Sequence, residues 1–192
     1  LLMAHQLLEQ IISLQGSRDL QNTLIPYNEI QVQIDSAMSL AGLLSQVHPD
    51  KAIRDQSDSC EQQINRFITD LSLNRGLFEA LSKVNTEHLD TEAKRMLQKT
   101  LQDFKRSGVD KSAEVRDKIR KLEEELVLIG QDFGRNIRED VRFIEVDPKV
   151  SLVGLPEDYI AAHKIESNGK VRITTDYPDY IPFMTYANDS NA

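Results

Sequence analysis

Arg106–Asp140 reads RSGVDKSAEVRDKIRKLEEELVLIGQDFGRNIRED, and the reading of this stretch decides the fold. Val115, Ile119, Leu122, Leu126, Ile129, Phe133, Ile137 and, just beyond it, Val141 recur at steps of 4-3-4-3-4-4-4. Such steps gather side chains on one stripe of a helix, whereas a half-buried strand needs alternation of two. A long amphipathic helix is therefore expected, with Asp110 or Ser112 as its cap. Glu114 before Lys118 and Asp117 before Lys121 set acid ahead of base by one turn, each pair contributing about 0.2–0.5 kcal/mol. Gly130 and Gly134 each cost about 1 kcal/mol relative to alanine inside a helix. The compensation expected is close approach of another backbone, which makes Gly130→Leu an overpacking change. The apolar seam is short and its neighbours in sequence are equally amphipathic, so antiparallel packing within one bundle is expected rather than a free coiled coil.

Toward the N-terminus the same device repeats. Leu7, Leu8, Ile11, Ile12 and Leu14 outline a first helix closed by Gly16. Pro26 suits the first turn of a second, where its missing N–H would be unpaired anyway, and Ile30, Ile34, Ala37, Ala41 and Leu44 form its apolar face. His48-Pro49-Asp50 breaks that helix and opens a third through Ile53, Ser57, Cys60, Ile64, Phe67 and Leu71, with Cys60 expected as a buried structural thiol. Asn74 caps a short fourth, and Asp90 begins a fifth that Gly108 stops by taking a left-handed conformation.

After Asp147-Pro148 the character changes. Leu155-Pro156-Glu157-Asp158 reads as a short helix start. Asn168-Gly169 is a tight-turn signal, followed by the alternating Val171-Arg172-Ile173-Thr174. Pairing across that turn sets Ile165 opposite Arg172 and Glu166 opposite Val171, so the polarity of the faces supports the second strand better than the first. Pro178 and Pro182 frame a turn into a last helical segment. The fold class expected is all-α: a multi-helix bundle with long antiparallel helices and one small β element near residues 163–175. Residues 1–147 form the bundle in this reading, and 148–192 hold the short helix, the turn and strand, and the start of a further helix.

A net charge of −8 argues against nucleic acid as a partner, since phosphate neutralisation needs clustered Lys and Arg. The bases between Lys105 and Arg120 are interleaved with Asp110, Glu114 and Asp117 and read as a solvated face. No run is long and apolar enough to cross a membrane, so no membrane partner is expected. A zinc hydrolase of the common kind needs His-Glu-x-x-His, two imidazoles one helical turn apart on the metal and a Glu to polarise its water. His5, His48, His88 and His163 are followed by Gln, Pro, Leu and Lys and lie at least 40 residues apart. Glu123-Glu124-Glu125 point in different directions on a helix and read as surface. Neither catalytic nor metal-ligating residues are assigned. Tyr177, Tyr180, Phe183 and Tyr186 form an aromatic cluster at steps of three, read as packing against the bundle or as a lining that touches a peptide or an adjoining domain.

Two phrases carry more: GLPEDYIAAH (Gly154–His163) and TTDYPDYIPFMTYA (Thr174–Ala187). Preceded by HPDKAIRDQSDSCEQQINRF (His48–Phe67), SLNRGLFEALSKV (Ser72–Val84) and the long helix, they follow the order seen in thimet-type zinc oligopeptidases. The chain resembles the N-terminal, non-catalytic region of that family, the M3 metallopeptidases. The resemblance implies a largely helical enzyme of two lobes around a deep, narrow channel that admits short peptides and excludes folded proteins. Its zinc and catalytic residues would lie in a C-terminal part beyond this chain, so no cofactor is expected here, and this chain alone is expected to be inactive. The partners implied are the C-terminal catalytic domain of the same polypeptide and short peptide substrates. The long helix and the segment after Asp176 would form one channel wall, with Tyr177, Tyr180 and Phe183 as its lining. The sequence opens Leu1-Leu2-Met3 without a leader pattern, and it reads as a piece of a cytoplasmic enzyme whose true start lies upstream. The competing expectation is a stand-alone helical scaffold or interaction module without enzymatic activity.

Overall fold

A computed structural model describes residues 1–188. Helices take up 71% of the described residues, and the only sheet among them has two strands. The chain divides into two compact units, Leu1–Gln131 and the part from Asp132 onward. That division falls within the long helix, ahead of the compositional change at Asp147.

The first unit contains α1 (Leu2–Ser13), a π-helical turn (Leu20–Leu24), α2 (Ile25–Val47), α3 (Lys51–Ser72), α4 (Arg75–Ser82), α5 (Thr91–Ser107) and the greater part of α6 (Ala113–Glu139). Local chemistry sets these boundaries. Asp50, Asn74 and Asp90 each accept a hydrogen bond from a first-turn N–H, of Ala52, Leu77 and Ala93 respectively. Ser112 Oγ does the same for Val115 at the start of α6. Gly108 ends α5 at φ +95°, where an L side chain would be strained. The π-helical turn has no periodic signature in sequence. It is held by a capping box in which Asp19 and Asn22 exchange backbone-to-side-chain bonds, each 2.9 Å long.

The core draws on every one of these elements except α6. Ile11, Leu24, Ile30, Phe67, Leu77, Leu81, Phe104 and Val109 are among its buried members. Arg18 is buried beside it, with its guanidinium donating to the carbonyls of Ile11 (2.7 Å) and Leu14 (3.0 Å), the open C-terminal end of α1.

Three expectations need correction here. No residue of α6 is buried: its seam faces outward, with Leu126 and Ile129 60% and 63% exposed. A Cβ added at Gly130 or Gly134 meets nothing within 4 Å, so no backbone packs there and Gly130→Leu has no neighbour to clash with. Cys60 is exposed. A helical pattern shows that an apolar stripe exists but not how much of its length is covered: Ile53, on the same stripe, is exposed as well.

The second unit comprises the last turns of α6, β1 (Phe143–Val146), α7 (Pro148–Ser151), α8 (Glu157–Ala162), β2 (Val171–Thr174) and α9 (Tyr177–Tyr186). β2 is the strand that alternation identified, and Asn168-Gly169 forms a tight turn with Gly169 at φ +77°. Its partner is not the segment around Ile165. β1 pairs antiparallel with β2, with Glu145 opposite Arg172 and Val146 opposite Val171. This register sets acid against base and apolar against apolar, and it lets the Arg172 guanidinium sit 3.9 Å from the centre of the Phe143 ring. Leu152, Leu155, Tyr159, Val171, Ile173 and Phe183 form a small core of their own.

Candidate functional site

Thr174 ends β2, and the chain turns at once into α9. The N–H groups of Asp179 and Tyr180 donate to the carbonyl of Asp176 at 2.9 and 2.8 Å, closing the first turn. Thr175 N–H donates to Arg142 O (2.8 Å), and Arg142 N–H donates to Thr175 Oγ1 (3.0 Å). This reciprocal pair ties the start of α9 to the segment that leaves α6. Between them lies an open hollow of about 630 Å³, lined by Phe133, Ile137, Tyr177 and Tyr180 with Asn136, Asp140, Thr175 and Asp176 among the polar residues.

α9 is positioned by one carboxylate. Asp179 Oδ2 accepts from Thr174 Oγ1 (2.6 Å) and Thr174 N–H (3.2 Å), and Asp179 Oδ1 lies 3.1 Å from His163 Nε2. Burial alone pushes the Asp179 carboxyl up. The two Thr174 bonds and the facing imidazole outweigh it and hold the group below its ordinary value. Tyr159 completes the cluster: its hydroxyl donates to Asp179 O at 2.9 Å, and its ring stacks on His163 with centroids 4.2 Å apart. Burial, followed by the Asp179 charge, pushes the Tyr159 phenol up to about 12.

His163 Nδ1 lies 2.7 Å from Tyr159 O, so both ring nitrogens stand within hydrogen-bond distance of oxygen atoms of the cluster. The Thr174 hydroxyl already donates to Asp179. These contacts make the cluster a clasp that joins α8, β2 and α9. Among the described residues no three His, Cys, Asp or Glu side chains gather as a metal-ligand set. No helix among them is long and apolar enough to cross a membrane.

The three residues of the expected lining part company. Tyr177, 76% exposed, and Tyr180 border the hollow, while Phe183, 2% exposed, lies in the small core. On a helix, positions three apart drift in angle, and by Phe183 the stripe has turned toward Val171 and Ile173. Phe133 and Ile137 lie across the hollow from the tyrosines and were legible only as part of a seam. The His163–Asp179 pair had no signal of its own, although both residues stand in the two phrases that carry the family resemblance.

No family model matches the chain. It is 24% identical over 88% of its length to oligopeptidase A of Haemophilus influenzae, and 23% identical over 91% to saccharolysin of Saccharomyces cerevisiae. It is 26% identical over 93% to the thimet-like oligopeptidase of Dictyostelium discoideum. The matches cover 26%, 26% and 28% of those proteins, so the chain spans about a quarter of the length of the curated relatives it matches. This is a mostly helical region whose sequence is similar to part of several oligopeptidases. More narrowly, the proteins it is similar to belong to the M3 metallopeptidases.

Proposed function

We propose that this chain is the N-terminal, non-catalytic region of a zinc-dependent oligopeptidase, and that its second unit forms part of the wall along which short peptides pass. The observation that carries the reading is similarity to oligopeptidases running through 88 to 93% of the chain, rather than through one motif. The hollow supports it. Its size falls in the range of ordinary ligand sites, and it sets aromatic surface beside a few polar groups. Tyr177 and Tyr180 take the role of contacting peptide side chains. Phe183 sits behind them in the core and holds α9 in place. The His163–Asp179 clasp keeps the wall rigid. Zinc and the attack on the peptide bond belong to the rest of the enzyme, and this region restricts and positions the substrate.

Steady-state kinetics of the polypeptide extended to the length of its relatives tests this. Tyr177→Ala and Tyr180→Ala should raise KM for short peptides several-fold, leave kcat nearly unchanged and leave zinc content intact, because they remove contacts made equally in ground and transition states. Loss of zinc, or unchanged kinetics toward every peptide, would refute the wall assignment. The reading as a stand-alone scaffold is decided separately: it requires that the reading frame after Ala192 encode no His-Glu-x-x-His.

A further inference from the structure

Helix α6 is amphipathic in an unusual sense, because it meets its own bundle with its polar stripe. Arg120 Nε bonds Asp70 at 2.7 Å, Arg66 Nε bonds Glu124 at 3.0 Å, and Gln131 exchanges bonds with Gln62 and the carbonyl of Asp58 at 2.7 and 2.9 Å. Arg116 Nη1 donates to Leu73 O at the end of α3. Val115, Leu122, Leu126 and Ile129 are left on the exposed side. Gly130 borders this stripe, with open space where its Cβ would be.

Among the described residues two costs thus stand without compensation. Large apolar side chains at heptad spacing stay in water, and a glycine weakens the helix with no close neighbour to justify it. One partner answers both: a second helix laid along the stripe, its backbone coming nearest at Gly130. We propose that this stripe seats an α-helix from the remainder of a longer polypeptide, which rests on the reading given under the proposed function. The relatives are about four times as long as the matched region, so covering chain of the required length exists in that reading. A second copy fits less well. Two chains of net charge −8 repel, whereas a tethered helix docks at high effective concentration. Lys118 and Glu125, seven residues apart, lie along one border of the stripe with opposite signs, which suits a partner helix of mixed charge.

The test is thiol accessibility. Leu126→Cys and Ile129→Cys, each in a Cys60→Ser background, are labelled with a maleimide in the 192-residue chain and in the extended polypeptide; Glu87→Cys in an exposed turn is the control. Labelling at 126 and 129 should be slower in the extended polypeptide by about tenfold, with the control unchanged. Equal rates in the two proteins would overturn the proposal. So would slow labelling in the 192-residue chain that recovers on dilution, since a second copy would then be the occupant. Zinc content and peptidase activity of the extended polypeptide are read in parallel. Their absence would count against the proposed function, while the labelling ratio still decides the docking site. Gly130→Leu adds a second readout: it should leave the unfolding midpoint of the 192-residue chain unlowered and speed labelling at 126 in the extended polypeptide. No change in that labelling would count against close approach at Gly130.

Discussion

His163 Nε2 lies 3.1 Å from Asp179 Oδ1, and this contact joins the segment after Gly154 to the segment after Thr174. The partners are 16 residues apart and both are largely shielded, with side chains 11% and 25% exposed. Thr174 and Tyr159 add their own bonds to the same aspartate, so three side chains, from α8 with its C-terminal cap and from β2, converge on the carboxylate and backbone of one α9 residue.

Replacing that carboxylate should loosen the second unit. Asp179→Ala removes two bonds from Thr174 and one from His163, with an expected loss of about 1.5–3 kcal/mol for hydrogen bonds to a charged group. Because the folded Asp179 sits below its ordinary value of 3.8, its contribution is complete above that value and is lost as pH falls through the lower, folded one. Urea unfolding of the wild type, followed from about pH 6 downward through the carboxylate range, should therefore approach that of Asp179→Ala toward the acid end. A constant gap between the two proteins at every pH would show that the carboxylate charge is not what matters.

Alkali should act on two tyrosines. Burial pushes Tyr27 up to about 12, with Asp103 adding to it and a bond from Thr100 opposing it; Tyr159 is pushed up to about 12 as well. A raised folded value means that the unfolded chain ionises first. Stability is then intact below the ordinary value of 10.0 and falls as pH rises from there toward about 12. Absorbance titration of Tyr27→Phe and Tyr159→Phe should remove late-ionising phenols, and each variant should resist alkaline unfolding better than the wild type.

Glycines should separate by environment. Gly130→Ala in this chain should raise stability by about 0.5–1 kcal/mol, because the site is helical and open. Gly154→Ala should lower it: Gly154 has φ +99°, and its Cβ would lie 2.5 Å from Tyr186 O, a backbone atom that cannot swing away. Chemical denaturation of the two variants checks the opposite signs.

α6 should be the first part of the first unit to open. Its attachment runs through exposed ion pairs worth about 0.2–1 kcal/mol each, so Arg120→Ala should have an effect of that order. Leu77→Ala, at a fully buried position on α4, should cost about 2–5 kcal/mol. Amide exchange in residues 113–131 should quicken as salt is added, while exchange in α2 and α3 stays slow.

What the chain wrote locally could be read locally. Asp50, Asn74, Asp90, Ser112 and Gly108 act within one turn of their own position, so helix starts and stops followed from residue chemistry. The three-and-four spacing announced the long helices, alternation announced Val171–Thr174, and the ordered phrases announced the resemblance. Tertiary structure decided everything that depends on which distant surface arrives. β2 pairs with Phe143–Val146, because strand pairing is set by cross-strand matching that no single strand encodes. Phe183 turns into the core while Tyr180 borders the hollow, because packing rather than aromaticity allots burial. The seam of α6 shows the same limit most plainly. Periodicity established that the stripe exists, but only the assembled bundle revealed that α3 takes the polar side and leaves the apolar side open. A pattern of side chains fixes the faces of a helix; the free energy of contact with the rest of the molecule chooses among them.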